Sequence, residues 1–478
     1  MEFANYDDYE DYQNPFDGMD YDGVMEWLDA HMDELESNGI DPEHFLRAIK
    51  EEFSMPNGAG GAGASATPAP LSTEEILHKL PIFLGQCSGQ VLSQAFDNFI
   101  FPAVLAVMLQ IFAHGGMDIP IRHTMSFISG FMLLVKFHTV ALGVFALSFV
   151  MFWINIASAI SKKYLVILLP ASALVAELFT GESWGGLRGP MLVFLLKFLS
   201  VVLTEDLTVD LNDMSQVMSL MGYYFHPATM LLGPWIPFSL YKKSIETPSF
   251  RITSLILIIP GALFLIFSTC VSSLFEKSTG WIGEVNDTIS FHCSNYYILY
   301  FTQVLVLLAG AQTANNFCSP MKVFFPFELY EVCRAWNYPV HEFLRKHVFL
   351  PLKASSSTFR AIMMTFFISA ILHGLNFPIF ATLMILGLGS FSEFEFRRKV
   401  GTNFNLPRIL PSSIQAKRAA KLAKDPPIKK PGDSDTSEAS DESFLRAFIQ
   451  AFINFSFLLL NYYHLFFVGS VLEAMISR

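Results

Sequence analysis

IMMTFFISAILHGLNFPIFATLMILGLGSFS, residues 362–392, is a run of mostly Leu, Ile, Met, Phe and Gly with one side chain that titrates near neutrality, His373. A helix needs about 20 apolar residues to cross a bilayer, and this run supplies them. An ionisable group at bilayer depth costs about 2.5–3.5 kcal/mol on insertion scales, so such groups are rare and usually face an interior cavity or a partner. Histidine is also the side chain best suited to exchange a proton near pH 7. His373 therefore either hydrogen-bonds a neighbouring helix or serves as a base in a site within the membrane.

The remaining chain repeats the apolar pattern. Of 478 residues 52% are hydrophobic and 48 are Phe, and the mean hydropathy of +0.41 is far from soluble averages. Candidate spans are 97–113, 122–138, 139–160, 164–179, 190–204, 217–240, 252–275, 291–312, 361–377, 378–396 and 444–471. The fold expected is all-α, a polytopic transmembrane helix bundle of about 9–11 membrane segments, some of them re-entrant. An amphipathic helix opens at Ser72, with Glu75 completing a capping box, and runs to Gln94 along the bilayer surface. Gly233-Pro234 and Pro237 interrupt the 217–240 segment, so it is expected not to cross. Irregular backbone at that depth is tolerated only where it lines a cavity, which reads as a tunnel wall. Residues 320–353 mix aromatics with charges at helical spacing and read as interfacial helices tucked against the bundle.

Charge divides the chain. The net charge is −12, but residues 1–56 hold 17 Asp/Glu against 2 Lys/Arg, which leaves +3 for everything else. Four regions are expected: an acidic tail with a Gly/Pro linker (1–70), a membrane core (71–396), a basic cytosolic loop with an acidic end (397–443) and a C-terminal transmembrane helix (444–478). Two short amphipathic helices are expected within 24–53. Lys162-Lys163, Lys242-Lys243, Arg345-Lys346 and the 397–430 loop read as cytosolic. Asn286-Asp287-Thr288 is a glycosylation pattern in what this scheme makes a lumenal loop. The first thirty residues are too polar for a cleavable signal peptide, so a later apolar segment is expected to direct insertion. Five cysteines without CxxC spacing give no disulfide framework and no metal site. Membrane lipids are the expected surroundings, and nucleic acid is not an expected partner.

Polar groups that are costly to bury gather at Trp336-Asn337, at Phe291-His292-Cys293-Ser294-Asn295-Tyr296, at Gly233-Pro234-Trp235 and at His373. A histidine and an asparagine suit acyl transfer. Histidine removes the proton of an attacking hydroxyl, and an amide N–H stabilises the developing oxyanion. No GxSxG elbow, Walker loop, HExxH or GxGxxG competes. Ser369 lies one turn before His373 on the same face, as a substrate contact or, less simply, an acyl-enzyme nucleophile. His292, at an expected lumenal helix end, is the second candidate base.

SAILHGLNF (369–377), preceded by RAWNYP (334–339), resembles the membrane-bound O-acyltransferase family. WGGLRG (184–189), GYYFHPATMLLGPWIPF (222–238), STCVSSLF (268–275) and SFHCSNYY (290–297) are similar to the branch that acylates a serine of Wnt proteins. They fit less well the branches that act on Hedgehog, ghrelin, sterols or glycerolipids. The resemblance implies a multi-pass protein of the endoplasmic reticulum membrane with a tunnel through its bundle. Palmitoleoyl-CoA would enter from the cytosol as substrate, with no bound cofactor, and a Wnt protein would enter from the lumen. It makes His373 the general base and Asn337 its supporting group, with Trp336, Trp235, Ser294, Asn295 and Tyr296 lining the tunnel. A family member acting on a sterol, lysophospholipid or other secreted peptide is the alternative. A transporter would show paired broken segments in two related halves, and no such repeat is present.

Overall fold

The computed structural model describes residues 73–137, 140–180, 184–204, 213–230, 233–247, 249, 251–275, 281–313, 316–374, 377–415 and 446–461. The acidic tail, its two amphipathic helices and the linker lie outside them, as does most of the 397–443 loop. The chain forms two compact units, Met1–Lys79 and Leu80–Arg478. No strand occurs among the described residues, and the second unit is a helix bundle.

α1 is continuous from Thr73 to His114. It joins what the sequence divides into a surface helix and a span at 97–113. Residues 91–100 (VLSQAFDNFI) hold neither Gly nor Pro to end a helix there, and Pro81 and Pro102 are carried within it. α2 (Ile119–Phe137), α3 (Val140–Ala159), α4 (Lys162–Thr180) and α5 (Trp184–Thr204) follow. α6 (Met214–Tyr224) opens on Asp213, whose carboxylate accepts the N–H groups of Ser215 and Gln216 at 3.0 and 3.3 Å. α2 and α6 touch at Gly130, where a Cβ would lie 1.4 Å from the Phe225 carbonyl oxygen. Only glycine permits that approach.

Residues 233–237 run without regular structure, through a cis Gly233–Pro234 bond, to α7 (Phe238–Glu246). The interrupted segment is thus broken where its glycine and prolines fall. Residues 252–275 form one helical run with α8 (Ile258–Ile266) at its centre, and α9 (Trp281–Leu308) packs along it. Short helices α10 (Pro320–Phe324), α11 (Leu329–Trp336), α12 (Tyr338–Leu344) and α13 (Leu350–Ser355) occupy the aromatic and charged stretch. α14 (Thr358–Leu372) and α15 (Phe377–Asn403) pack together as a hairpin, and α16 covers Arg446–Asn461.

Among the described residues three helices are long and apolar enough to cross a membrane: Leu80–His114, Ile252–Phe275 and Phe377–Asn403. Five shorter apolar helices accompany them: Gly143–Ala157, Tyr164–Leu178, Gly189–Thr204, Thr358–Leu372 and Arg446–Asn461. Ile167, Leu178 and Ile256 are each about 70% exposed, as lipid-facing side chains of a membrane bundle are.

Three further expectations of the fold need correction. Cys87 on α1 and Cys270 form a disulfide with their Cα atoms 5.8 Å apart. Spacing rules for small secreted domains do not see a bridge between residues 183 apart that folding brings together. α9 begins ten residues before the expected span and takes in Asn286-Asp287-Thr288, so the glycosylation pattern is helical and not in a loop. Its polar groups are met locally: Asn286 Nδ2 donates to the Ser272 carbonyl and Oγ at 3.2 and 3.0 Å, and Thr288 Oγ1 to the Glu284 carbonyl at 2.8 Å. α15 continues past Arg397 to Asn403, so the basic loop starts later than its charges suggest.

Alkylation of the denatured chain with a maleimide should modify three cysteines before reduction and five after it, since Cys293, Cys318 and Cys333 are free. Five before reduction would remove the bridge. Mass spectrometry of the intact chain reads the difference.

Candidate active site

His373 does not sit inside a helix. It is the C-cap of α14 (φ −82°, ψ 0°), with its N–H donating to the Ala370 carbonyl at 3.0 Å, and its side chain is half-buried. The next residue, Gly374, has φ +89° and ends the helix in the left-handed conformation glycine accepts without strain. HG is thus a helix stop within an apolar run, which apolar periodicity alone hides. The end of α14 carries a partial negative charge that favours a cation there.

Asn337 links α11 to α12. Its Oδ1 accepts the Val340 N–H at 3.3 Å and caps α12. With the oxygen engaged, the group it can offer a ligand is its Nδ2 donor. Asparagine is among the residues preferred at a helix N-cap. Leu372 and Trp336, the neighbours of His373 and Asn337 in sequence, pack against one and the same buried cluster.

Two motifs chosen from sequence meet in space. The Trp336 ring lies 5.7 Å from Phe291, 4.9 Å from His292 and 5.7 Å from Tyr296, which joins RAWNYP to the FHCSNY block of α9. Phe324 closes the group, 6.2 Å from His292 and 5.9 Å from Tyr296. Tyr296 Oη and Asn295 Nδ2 are buried without a hydrogen-bond partner, and Ser294 beside them is half-buried. Unpartnered buried donors are costly and rare, and they suit a surface that a ligand completes. His292 stands well inside α9 within this aromatic group, not at a helix end as expected. Cys293 is buried, in keeping with a core residue.

Trp235 belongs elsewhere. It is buried just beyond the cis peptide, with its ring 5.3 Å from Phe343 and 6.3 Å from His347, and its Nε1 has no partner. A cavity of about 510 Å³ opens nearby, lined by Leu203, Thr204, Pro237, Phe238, Ser239, Lys346, His347 and Pro351. Burial, with Lys346 beside it, pushes the His347 imidazole down to about 4, so at pH 7 the positive charge of this cavity is that of Lys346. Ser369 sits on α14 one turn before His373, half-buried. Among the described residues no three His, Cys, Asp or Glu side chains gather as a metal site.

Composition gives no hint of two buried features, a lysine and an ion pair. Lys197 of α5 is fully buried, and its Nζ donates to the Tyr223 and Tyr224 carbonyls at 2.9 and 3.0 Å, capping the end of α6. Glu393 and Arg397 of α15 form a buried ion pair at 2.7 Å. A lysine within the apolar run 190–204 is the only signal of the first; the second resembles the basic loop edge that follows it.

The model of the membrane-bound O-acyltransferase family matches residues 125–400, more than half the chain. The chain belongs to the membrane-bound O-acyltransferase family. The match contains His373, Asn337, the aromatic group and Trp235. Among curated proteins, the chain is similar to the protein-serine O-palmitoleoyltransferase porcupine of Anopheles gambiae, 31% identical over 271 residues, 48% of this chain and 54% of the relative. The protein of that name from Homo sapiens is 26% identical over 270 residues, 49% and 57% of the two chains. The chain spans about half the length of the curated relatives it matches. A shorter likeness, 43% over 63 residues and 13% of either chain, is to a probable sterol O-acyltransferase 2 of Schizosaccharomyces pombe. Such a family member is an all-α membrane protein, as the apolar helices require.

Proposed function

We propose that this chain transfers a monounsaturated fatty acyl group from coenzyme A to a serine hydroxyl of Wnt proteins in the endoplasmic reticulum membrane. The observations that carry the reading are the likeness to porcupine proteins and a family match that holds both the histidine and the asparagine. The acceptor hydroxyl attacks the thioester carbonyl while His373 Nε2 or Nδ1 takes its proton. Asn337 Nδ2 donates to the oxyanion as the carbonyl becomes tetrahedral, a contact of the kind worth about 2.7–4 kcal/mol. Collapse expels the thiolate of coenzyme A, which recovers the proton from the imidazolium. Ser369 contacts substrate and forms no acyl-enzyme. Trp336, Ser294, Asn295 and Tyr296 line the acyl tunnel, and Trp235 lines it nearer the cytosol.

The coenzyme would approach the cavity at Lys346. Phe238 and Ser239, the first residues of α7, line it, and the Pro237 carbonyl accepts the N–H groups of Leu240 and Tyr241. A helix start beside a lysine suits phosphate. Lys346→Ala is expected to raise KM for palmitoleoyl-CoA about 3- to 10-fold with kcat unchanged, since a charge-assisted contact at an open site is lost. An unchanged KM would move the coenzyme elsewhere. The disulfide supports the location: Cys270 lies towards the end of its helical run remote from Lys242-Lys243, the end that charge placement assigns to an oxidising lumen.

A panel of acceptors separates this reading from its nearest alternative. Purified protein with labelled palmitoleoyl-CoA should label a Wnt hairpin peptide and leave cholesterol and lysophospholipid unlabelled. Label on the lipids alone would make the chain a lipid acyltransferase of the same family.

A further inference from the structure

α4 is a strongly apolar helix with a single acid, Glu177, three residues before its end. That acid reaches the turn that carries His373. Both Glu177 carboxylate oxygens lie 2.8 Å from the point a Cβ would occupy on Gly374. The carboxylate therefore rests on the backbone immediately after His373, in space that exists only because residue 374 is glycine. The position is electrostatically unusual. Helix C-termini carry partial negative charge and disfavour an anion, yet here a carboxylate is held against the end of α14. Both features attract a cation, and the residue beside them in the chain, His373, is the one that gains a proton during acyl transfer.

We infer that Glu177 is a positioning residue for His373, which orients the imidazole and stabilises the imidazolium formed when the acceptor hydroxyl loses its proton. The role rests on the acyl-transfer reading above. Glu177 neither touches substrate nor takes the proton. Its negative charge lowers the energy of the state in which His373 holds it, and the proton returns to the departing thiolate of coenzyme A. Gly374 is coupled to the same role, because a Cβ at that position would displace the carboxylate.

The test is steady-state kinetics of the full chain with palmitoleoyl-CoA and a serine-bearing Wnt hairpin peptide, beside thermal unfolding. Glu177→Gln keeps the shape and removes the charge. It is expected to lower kcat about 10- to 100-fold, with KM for both substrates and the unfolding temperature unchanged. Glu177→Asp should recover part of the loss. A Glu177→Gln variant with wild-type kcat would overturn the inference, as would a loss expressed in KM or in unfolding temperature, or an aspartate variant no better than glutamine. A wild-type protein that transfers no acyl group in this assay would instead defeat the enzyme reading, and the role of Glu177 with it.

Discussion

His373→Ala is expected to lower acyl transfer by about 10²- to 10⁴-fold, the usual worth of a positioned general base. The loss should fall on kcat, with palmitoleoyl-CoA binding retained, because the cavity beside Lys346 draws no lining residue from α14. The fold should survive. What residue 373 contributes to the end of α14 is a backbone N–H bonded to Ala370, which alanine also supplies. Gly374 keeps the left-handed turn. Unfolding temperature and turnover measured on one preparation distinguish this from collapse. If His373 only bonded a neighbouring helix, the variant would unfold at lower temperature and transfer at nearly the normal rate.

The second large effect is on stability. Glu393→Ala should cost about 3–5 kcal/mol, because it leaves the Arg397 guanidinium buried without its counter-ion. The pair is more than an i,i+4 contact. Glu393 Oε2 accepts the Leu329 N–H at 2.8 Å, the first of α11, and Arg397 donates to the Phe327 carbonyl just before it. Arg397 also bonds Asn454 Oδ1 at 2.9 Å, and Asn461 Nδ2 donates to the Pro326 carbonyl at 2.9 Å, so α16 belongs to the same knot. These bonds fix the start of α11, whose other end presents Trp336 and Asn337. The variant should therefore lose turnover together with stability. Thermal unfolding in detergent or nanodiscs measures the loss. A double replacement by apolar residues of similar volume, Glu393→Leu with Arg397→Met, should recover much of it. A single variant within about 1 kcal/mol of wild type would show the pair to be solvated in the membrane protein, against its burial here.

Apolar runs of helical length made the bundle legible, and so did the Gly-Pro interruption that separates α6 from α7. The blocks around Trp336 and Tyr296 could be chosen from sequence because aromatic and amide side chains are costly to bury idle. Their meeting could not, since it depends on how α9 and α11 cross. Hydropathy also concealed the most consequential local feature. HG at 373–374 reads as part of one apolar run, while the backbone makes it a helix terminus, with different electrostatics for the imidazole. Glu393 escaped because Arg397, one turn on, reads as the edge of the basic loop. Lys197 and Glu177 escaped because a single charge within an apolar helix is silent until its partner is known, and each partner is distant in sequence. Cys87 and Cys270 are the same case in covalent form.

The central claim is acyl transfer to a serine hydroxyl through His373. Its most direct measurement follows label from palmitoleoyl-CoA onto a Wnt hairpin peptide and onto its Ser→Ala counterpart, with wild type and His373→Ala in parallel and the acylated residue located by mass spectrometry. The serine of the first peptide should carry an ester-linked acyl group with wild type alone, and the second peptide should carry none. Equal labelling of both peptides, or of the first peptide by both proteins, would contradict the account.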